Sequence, residues 1–372
     1  MKQVCGPVKM DRKTKFLVER LSPGDVAVID HRDLDEVAAE SLAQKKVKAV
    51  VNINSSMSGR YPNNGPRKLA EANIPHFDLA GEDFYSRIRE GDVVTIRAGE
   101  LYLGEQHVAK ARIVDDAVIS RQLCLAEKNL DELLDHFVQN TLEYALQEKE
   151  LILGGIDFPP LKTDVAGKHV LVVVRGQSYR EDLQAVTHYL DEVKPVLIGV
   201  DGGADALLEF GRIPDLVVGD MDSVSDQALR RTREILVHAY PDGKAPGLAR
   251  IENLGLDASI VKAPGTSEDI ALLLAYEKGA RLIAAVGTHS NMIDFLEKGR
   301  KGMASTFLVR LKVGSRLIDA RGVSQLYRGG VSGRSLLLLA LAASIPVLAL
   351  VLANPTIRHV FRLLAMRLRF GL

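Results

Sequence analysis

The chain has 372 residues, with Lys+Arg and Asp+Glu balanced at 48 each. That neutral balance and the lack of a nucleic-acid motif argue against nucleic acid as a partner. The absence of tryptophan, with only 5% aromatic residues, argues against stacking platforms for bases. The length accommodates two domains and a further segment. Cys5 and Cys124 form neither a disulfide framework nor a metal-ligand spacing, which fits a reducing, cytosolic setting.

Residues 1–120 alternate strand-like and helix-like runs and are expected to form an N-terminal α/β domain. Met1–Arg20 is polar and charged, so no signal peptide is expected. Asp25–Ile29, Val47–Asn52, Asp92–Arg97 and His107–Val114 read as strands, and Leu34–Lys45 and Arg67–Asn73 as helices. The segment Asn52–Pro66 is rich in Gly, Asn, Ser and Pro and carries Arg60. It reads either as an anion-binding loop or as a long turn, and the turn is the commoner outcome. The order of elements up to Val94 resembles the swivelling β/β/α domains of phosphotransfer enzymes. Their phosphorylated histidine has no counterpart, since none occurs between Arg32 and Pro75.

Residues 121–166 read as a helical connector. Leu123, Leu130, Leu133, Leu134, Phe137, Leu142 and Leu146 recur mostly at threes, fours and fives, with charges between them. Two readings stay open: a helix packed on both domains, or a short dimerising coiled coil that would make the protein a homodimer.

From Gly167 the pattern becomes a βα alternation. Val170–Val174, Val196–Val200, Leu216–Val218, Ile235–Val237, Ser259–Lys262 and Leu282–Val286 are short apolar runs. Strands apolar on both faces predict a Rossmann-like, mostly parallel sheet over residues 167–328, with ligands at the carboxyl ends of its strands. Four loops at those ends carry polar residues: Arg175-Gly176, Asp201-Gly202-Gly203, Gly219-Asp220-Met221-Asp222-Ser223, and Gly265-Thr266-Ser267-Glu268-Asp269. Taken singly, each is a glycine turn or a helix cap. Together they place three carboxylate-bearing loops on one sheet edge. Alternation along a strand would point Asp220 and Asp222 to the same side, a pairing suited to Mg²⁺ carrying phosphates.

Between Arg334 and Arg358 there is no charged residue. The run 335–355 is therefore expected to be a single transmembrane helix, kinked at Pro346. Residues 356–372 read as a basic amphipathic tail. The flanking arginines favour, slightly, soluble domains on the cytoplasmic side of a cell membrane. The lipid bilayer is then a partner.

The stretch Val200–Asp215 running into Gly219–Ser223 closely resembles the catalytic domain of thiamin pyrophosphokinases, over about residues 167–300. The resemblance implies Mg²⁺ and ATP or another nucleotide as cofactors. It implies metal ligation by Asp201, Asp220 and Asp222, with Asp220 and Asp222 catalytic if the domain is active. Nucleotide or phosphate would lie on Arg175, Gly176, Asp201, Gly202, Gly203, Ser223, Thr266, Ser267 and Asp269, the last matching the Asp of the family's Thr-Asp motif. Three departures accompany it. The run Gly287–Phe295 keeps Asp294 but lacks the family's arginine and the histidine after the aspartate. Ala271 replaces an acidic residue. Only about 30 residues separate Ala304 from the C-terminal apolar run, too few for the family's β-sandwich.

Tyr240–Gly247, Thr266–Asp269 and Ser305–Gly314, with the N-terminal region and the C-terminal apolar run, make the whole chain resemble SteA-like bacterial cytokinetic-ring proteins. That implies a role in cell division or envelope assembly beside division-site membrane proteins. The ligand would be a nucleotide or another diphosphate. The alternative is an active Mg- and ATP-dependent diphosphokinase.

Overall fold

The computed structural model describes residues 3–79, 84–149, 155–289, 292–297, 303–323 and 333–370. Residues 1–323 form one compact unit and residues 324–372 another.

The first unit holds two sheets. The N-terminal sheet has the order β7-β6-β5-β1-β2-β3-β4-β8. Its parallel centre is β1 (Val4–Asp11), β2 (Val26–Ile29), β3 (Ala49–Asn52) and β4 (His76–Asp78). A meander of β5 (Val93–Arg97), β6 (Glu100–Leu103) and β7 (Gln106–Lys110) extends one side, and β8 (Arg112–Ile113) pairs antiparallel with β4. Strand β1 has no signature in the sequence because Gly6 and Pro7 interrupt it. Its first half nevertheless pairs with β5 and its second half with β2.

The segment Asn52–Pro66 is a folded, largely buried loop. Asn52, Ser56 and Asn63 are fully buried. The Ser56 hydroxyl lies 2.6 Å from Asp78 Oδ1 and 2.8 Å from His76 Nε2, and the Ser58 N–H donates to Asp33 Oδ1 at 2.6 Å. Burial pushes His76 down to about 4, so the ring is neutral inside this network.

Two helices follow, Asp116–Lys128 and Leu130–Glu148, broken at Asn129. Phe137 of the second is buried with Tyr61 of the first domain and with Phe295 and Leu296 of the second, so this helix packs on both domains.

The second sheet is parallel throughout, in the order β13-β12-β11-β10-β9-β14-β15. Its strands are β9 (His169–Val173), β10 (Val196–Val200), β11 (Leu216–Gly219), β12 (Glu234–Ala239), β13 (Ser259–Lys262), β14 (Leu282–Val286) and β15 (Leu317–Asp319). Successive residues serve opposite faces: Val170 and Val172 join the core beneath the helix Ser267–Glu277, while Leu171 and Val173 join the core on the other side. Because both faces are covered, the strands are continuous apolar runs. The helix Ser267–Glu277 is buried from Glu268 through Ala275, and burial of Ile270, Leu272, Leu273 and Leu274 contributes roughly 1.5–3 kcal/mol each. The strand order reverses at β9, which lies between β10 and β14. That switch point opens a crevice at the carboxyl edge.

In the second unit, the helix Gly333–Ala353 is followed by the helix Pro355–Phe370, with Asn354 between them. The Asn354 Oδ1 accepts the Thr356 N–H at 3.0 Å and starts the second helix. Among the described residues no helix is long and apolar enough to cross a membrane. This corrects the transmembrane expectation for 335–355. The run 335–355 carries Ser335, Ser344, Pro346 and Asn354 among its apolar residues, and the helix ends at Ala353. The single-pass membrane location and the bilayer partner, both derived from that run, lose their basis. Arg328, one of the flanking arginines, lies outside the described residues.

Candidate functional site

The four polar loops all lie at the carboxyl edge of the second sheet. Three of them hold a non-glycine residue in the left-handed region: Ser178 (φ 54°), Asp201 (φ 46°) and Met221 (φ 64°). Such backbone is costly for methionine and is held by its surroundings.

Asp201 follows β10, and its N–H continues the ladder to the Val218 carbonyl at 3.0 Å. Two glycines let it sit there. A Cβ on Gly219 would strike the Asp201 carboxylate, and one on Gly203 would strike the Val173 carbonyl. The side chain of Asp201 therefore lies across the end of β11, where Oδ1 accepts the Met221 N–H at 3.1 Å. Burial, and then the negative charge of neighbouring Asp220, push Asp201 up to about 7; the Met221 N–H and the Ser267 hydroxyl pull the other way.

Asp220 and Asp222 part company. Strand β11 ends at Gly219, so both aspartates lie in a turn where strand alternation no longer applies. The Asp222 N–H donates to Asp220 Oδ1 at 2.9 Å, while the Asp222 side chain turns to Lys15 of the N-terminal domain. The Lys15 ammonium lies 2.9 Å from Asp222 Oδ2, 2.9 Å from the Asp222 carbonyl and 3.3 Å from Ser223 Oγ. The Lys15 hydrogen bond holds the Asp222 carboxyl below the usual carboxylate range, with Lys13 and Arg250 adding to it.

Arg175 and Gly176 follow β9. A Cβ on Gly202 would lie 3.2 Å from Arg175 Cδ and 3.3 Å from the Ser223 carbonyl, so Arg175, Gly202 and Ser223 are neighbours. A Cβ on Gly176 would strike the Gly287 carbonyl, which shows how closely the loops after β9 and β14 meet at the switch point.

Thr266 and Asp269 form a capping box on the helix Ser267–Glu277. Asp269 is fully buried, and its Oδ2 accepts from the Thr266 N–H at 3.1 Å and the Ser305 hydroxyl at 2.8 Å. Its Oδ1 is buried without a hydrogen-bond partner among the described residues. Burial, then the charge of Glu268, raise its pKa. Ser267 reaches inward between Asp201 and His238, whose Nδ1 is 3.3 Å from the Ser267 Oγ.

Several residues of the edge carried no signal in the sequence. Lys15 is one lysine among several near the N-terminus. Arg321 pairs with Asp294 and donates to Gln177 Oε1 at 2.7 Å, and Gln177 also bonds Glu36 of the N-terminal domain. Arg310 bridges Asp319 at 2.9 Å and the Thr288 hydroxyl at 3.0 Å. Asp294 is thus held by an arginine well downstream in the chain. Ser290 and Asn291, in the run after β14, lie outside the described residues.

The donor chemistry suits a divalent cation with phosphates. Asp201 and Asp220 bring two carboxylates together, and the half-buried Asp201 has its ionisation suppressed by burial and then by Asp220. A cation would relieve that conflict. Among the described residues no group of three or more His, Cys, Asp or Glu gathers for a metal. Mg²⁺ does not require one, since it commonly takes one or two carboxylates plus phosphate oxygens and water.

No curated protein matches this chain. The chain is similar to the crystal structure of thiamine pyrophosphokinase from Bacillus subtilis, with 26% identity and a TM-score of 0.26. That similarity covers 41% of this chain and 59% of the other. Residues 321–370 match the model of the SteA-like C-terminal domain, in agreement with the SteA-like resemblance read from the sequence.

Proposed function

We propose that the carboxyl edge of the second sheet binds a nucleotide or another diphosphate ligand together with Mg²⁺, in a protein of bacterial cell division or envelope assembly. The observation that carries the ligand reading is the Asp201–Asp220 pair, a half-buried carboxylate raised to about 7 beside a second one. Asp201 and Asp220 are the proposed metal ligands. Arg175, Gly176, Gly202, Gly203, Ser223, Thr266, Ser267 and Asp269 line or brace the proposed phosphate side. Asp222 borders it through Lys15. The SteA-like match at residues 321–370 supports the division reading. The exposed stripe Leu134, Val138, Leu142 and Leu146 on the connector helix supports a homodimer.

The test is calorimetric titration of the full chain with ATP, ADP and inorganic diphosphate, with and without Mg²⁺. Binding that requires Mg²⁺ is the expected result. No binding of any of the three would overturn the reading.

The retained Asp201, Asp220 and Asp269 favour a second reading, diphosphate transfer from ATP. Incubation with ATP, Mg²⁺ and thiamin would then yield AMP and thiamin diphosphate. Absence of AMP alongside Mg-dependent ATP binding leaves a binding protein.

A further inference from the structure

The run after β14 lacks the arginine that the sequence resemblance leads one to expect, and Arg175 of the first loop pairs with Tyr179 and Glu209, which leaves a place at the phosphate side for a further cation. The N-terminal domain brings one. The helix Thr14–Arg20 presents Lys15 to the loop after β11, where its three N–H donors meet Asp222 Oδ2, the Asp222 carbonyl and Ser223 Oγ. A short path of neighbours joins it to the glycine loop. Ser223 abuts Gly202, and Gly202 abuts Arg175. The domains are also tied at a second point. Gln177 bonds Glu36, and Arg180 bonds Gln44, both partners lying in the helix Glu36–Gln44 or at its end. The N-terminal domain therefore lies over this edge of the sheet through two of its helices, and Lys15 is the cation it contributes there.

The Lys15–Asp222 pair is partly open, with side-chain exposures of 36% and 60%. An exposed pair of this kind contributes little to folding, roughly 0–1 kcal/mol. Its value to stability does not account for a lysine with all three donors engaged. Its place on Ser223, whose carbonyl abuts Gly202, fits a group that exchanges one anion for another.

We propose that the phosphate site is bipartite: Lys15, from the N-terminal domain, binds the terminal phosphate of a di- or triphosphate ligand whose Mg²⁺ is held by Asp201 and Asp220. This rests on the nucleotide or diphosphate reading above. When ligand arrives, Lys15 exchanges the Asp222 carboxylate for phosphate oxygens. Charge-assisted hydrogen bonds of this type are strong enough to govern affinity.

The test is titration of the full chain with Mg·ATP and Mg-diphosphate, for wild type, Lys15→Gln and Lys15→Arg, at several salt concentrations. Lys15→Gln is expected to bind both ligands roughly tenfold more weakly and with a flatter salt dependence. Lys15→Arg should keep most of the affinity and the salt dependence. Unliganded melting temperatures should agree among the three proteins, which separates a contact with ligand from a role in domain docking. If wild type binds and Lys15→Gln binds as well or better, the bipartite site is wrong and the ligand reading stands. If affinity falls without a change in salt dependence, Lys15 acts only by docking and the proposal is overturned. If wild type binds neither ligand, the ligand reading itself fails and the bipartite site with it.

Discussion

The Asp201 carboxylate lies across the end of the neighbouring strand beside Asp220, and that neighbour adds to burial in pushing its pKa up to about 7. Two residues far apart in the chain thus share one charge problem. The strand order creates it, because β10 and β11 are adjacent and parallel and deliver both aspartates to the same edge.

A pH dependence follows. An unfolded aspartate titrates near about 3.9. Between roughly pH 4 and pH 7 the folded chain therefore holds more protons on Asp201 than the unfolded chain does. Stability from this group is full below pH 4, falls as pH rises through that window, and levels above about pH 7. Asp201→Asn, which tolerates a left-handed backbone, should remove the slope. It should gain up to about 4 kcal/mol over wild type at pH 8 and nothing at pH 4. Thermal unfolding across pH measures this, and a variant with the wild-type slope would refute the coupled pair.

Asp220 and Asp222 should differ when replaced. Asp220→Asn removes one of the two proposed metal ligands and is expected to weaken Mg-dependent diphosphate binding by tenfold or more, with the fold intact. Asp222→Asn releases Lys15 from its carboxylate and is expected to leave the Mg²⁺ requirement unchanged. Titration at varied Mg²⁺ distinguishes them. Equal loss of Mg²⁺ dependence in both would put Asp222 back among the ligands.

Gly203→Ala tests the close approach of the second loop to β9. In an ordinary helix the change would be favourable by about 1 kcal/mol. Here the new Cβ meets the Val173 carbonyl, a backbone atom that cannot swing away. A destabilisation of about 1–3 kcal/mol is expected instead. Chemical unfolding gives the sign directly, and a stabilised variant would show that helix and strand are not in contact there.

The central strands of the second sheet were legible because each is a local run of Val, Ile and Leu, apolar on both faces. Strands β10 and β14 begin and end where those runs do. Strands β1 and β15 were not legible. Gly6 and Pro7 break the first, and Leu317–Asp319 is too short to show a period. The C-terminal run illustrates a different limit. The charge-free stretch between Arg334 and Arg358 suggested a membrane span, whereas among the described residues no helix is long and apolar enough to cross a membrane. The Asp220–Asp222 pairing shows a third. Alternation is a property of strands, and the strand stops one residue before Asp220.

By itself the sequence determined the alternation of strands and helices and the loops where polar residues gather, because apolar runs, glycines and caps act over a few residues. Only the tertiary structure decided which carboxylates meet and which cation answers them. Asp201 finds Asp220 through the pairing of β10 with β11, and Lys15 finds Asp222 across the domain boundary. Contacts between residues so distant in the chain depend on strand order and domain docking, and no local pattern encodes either.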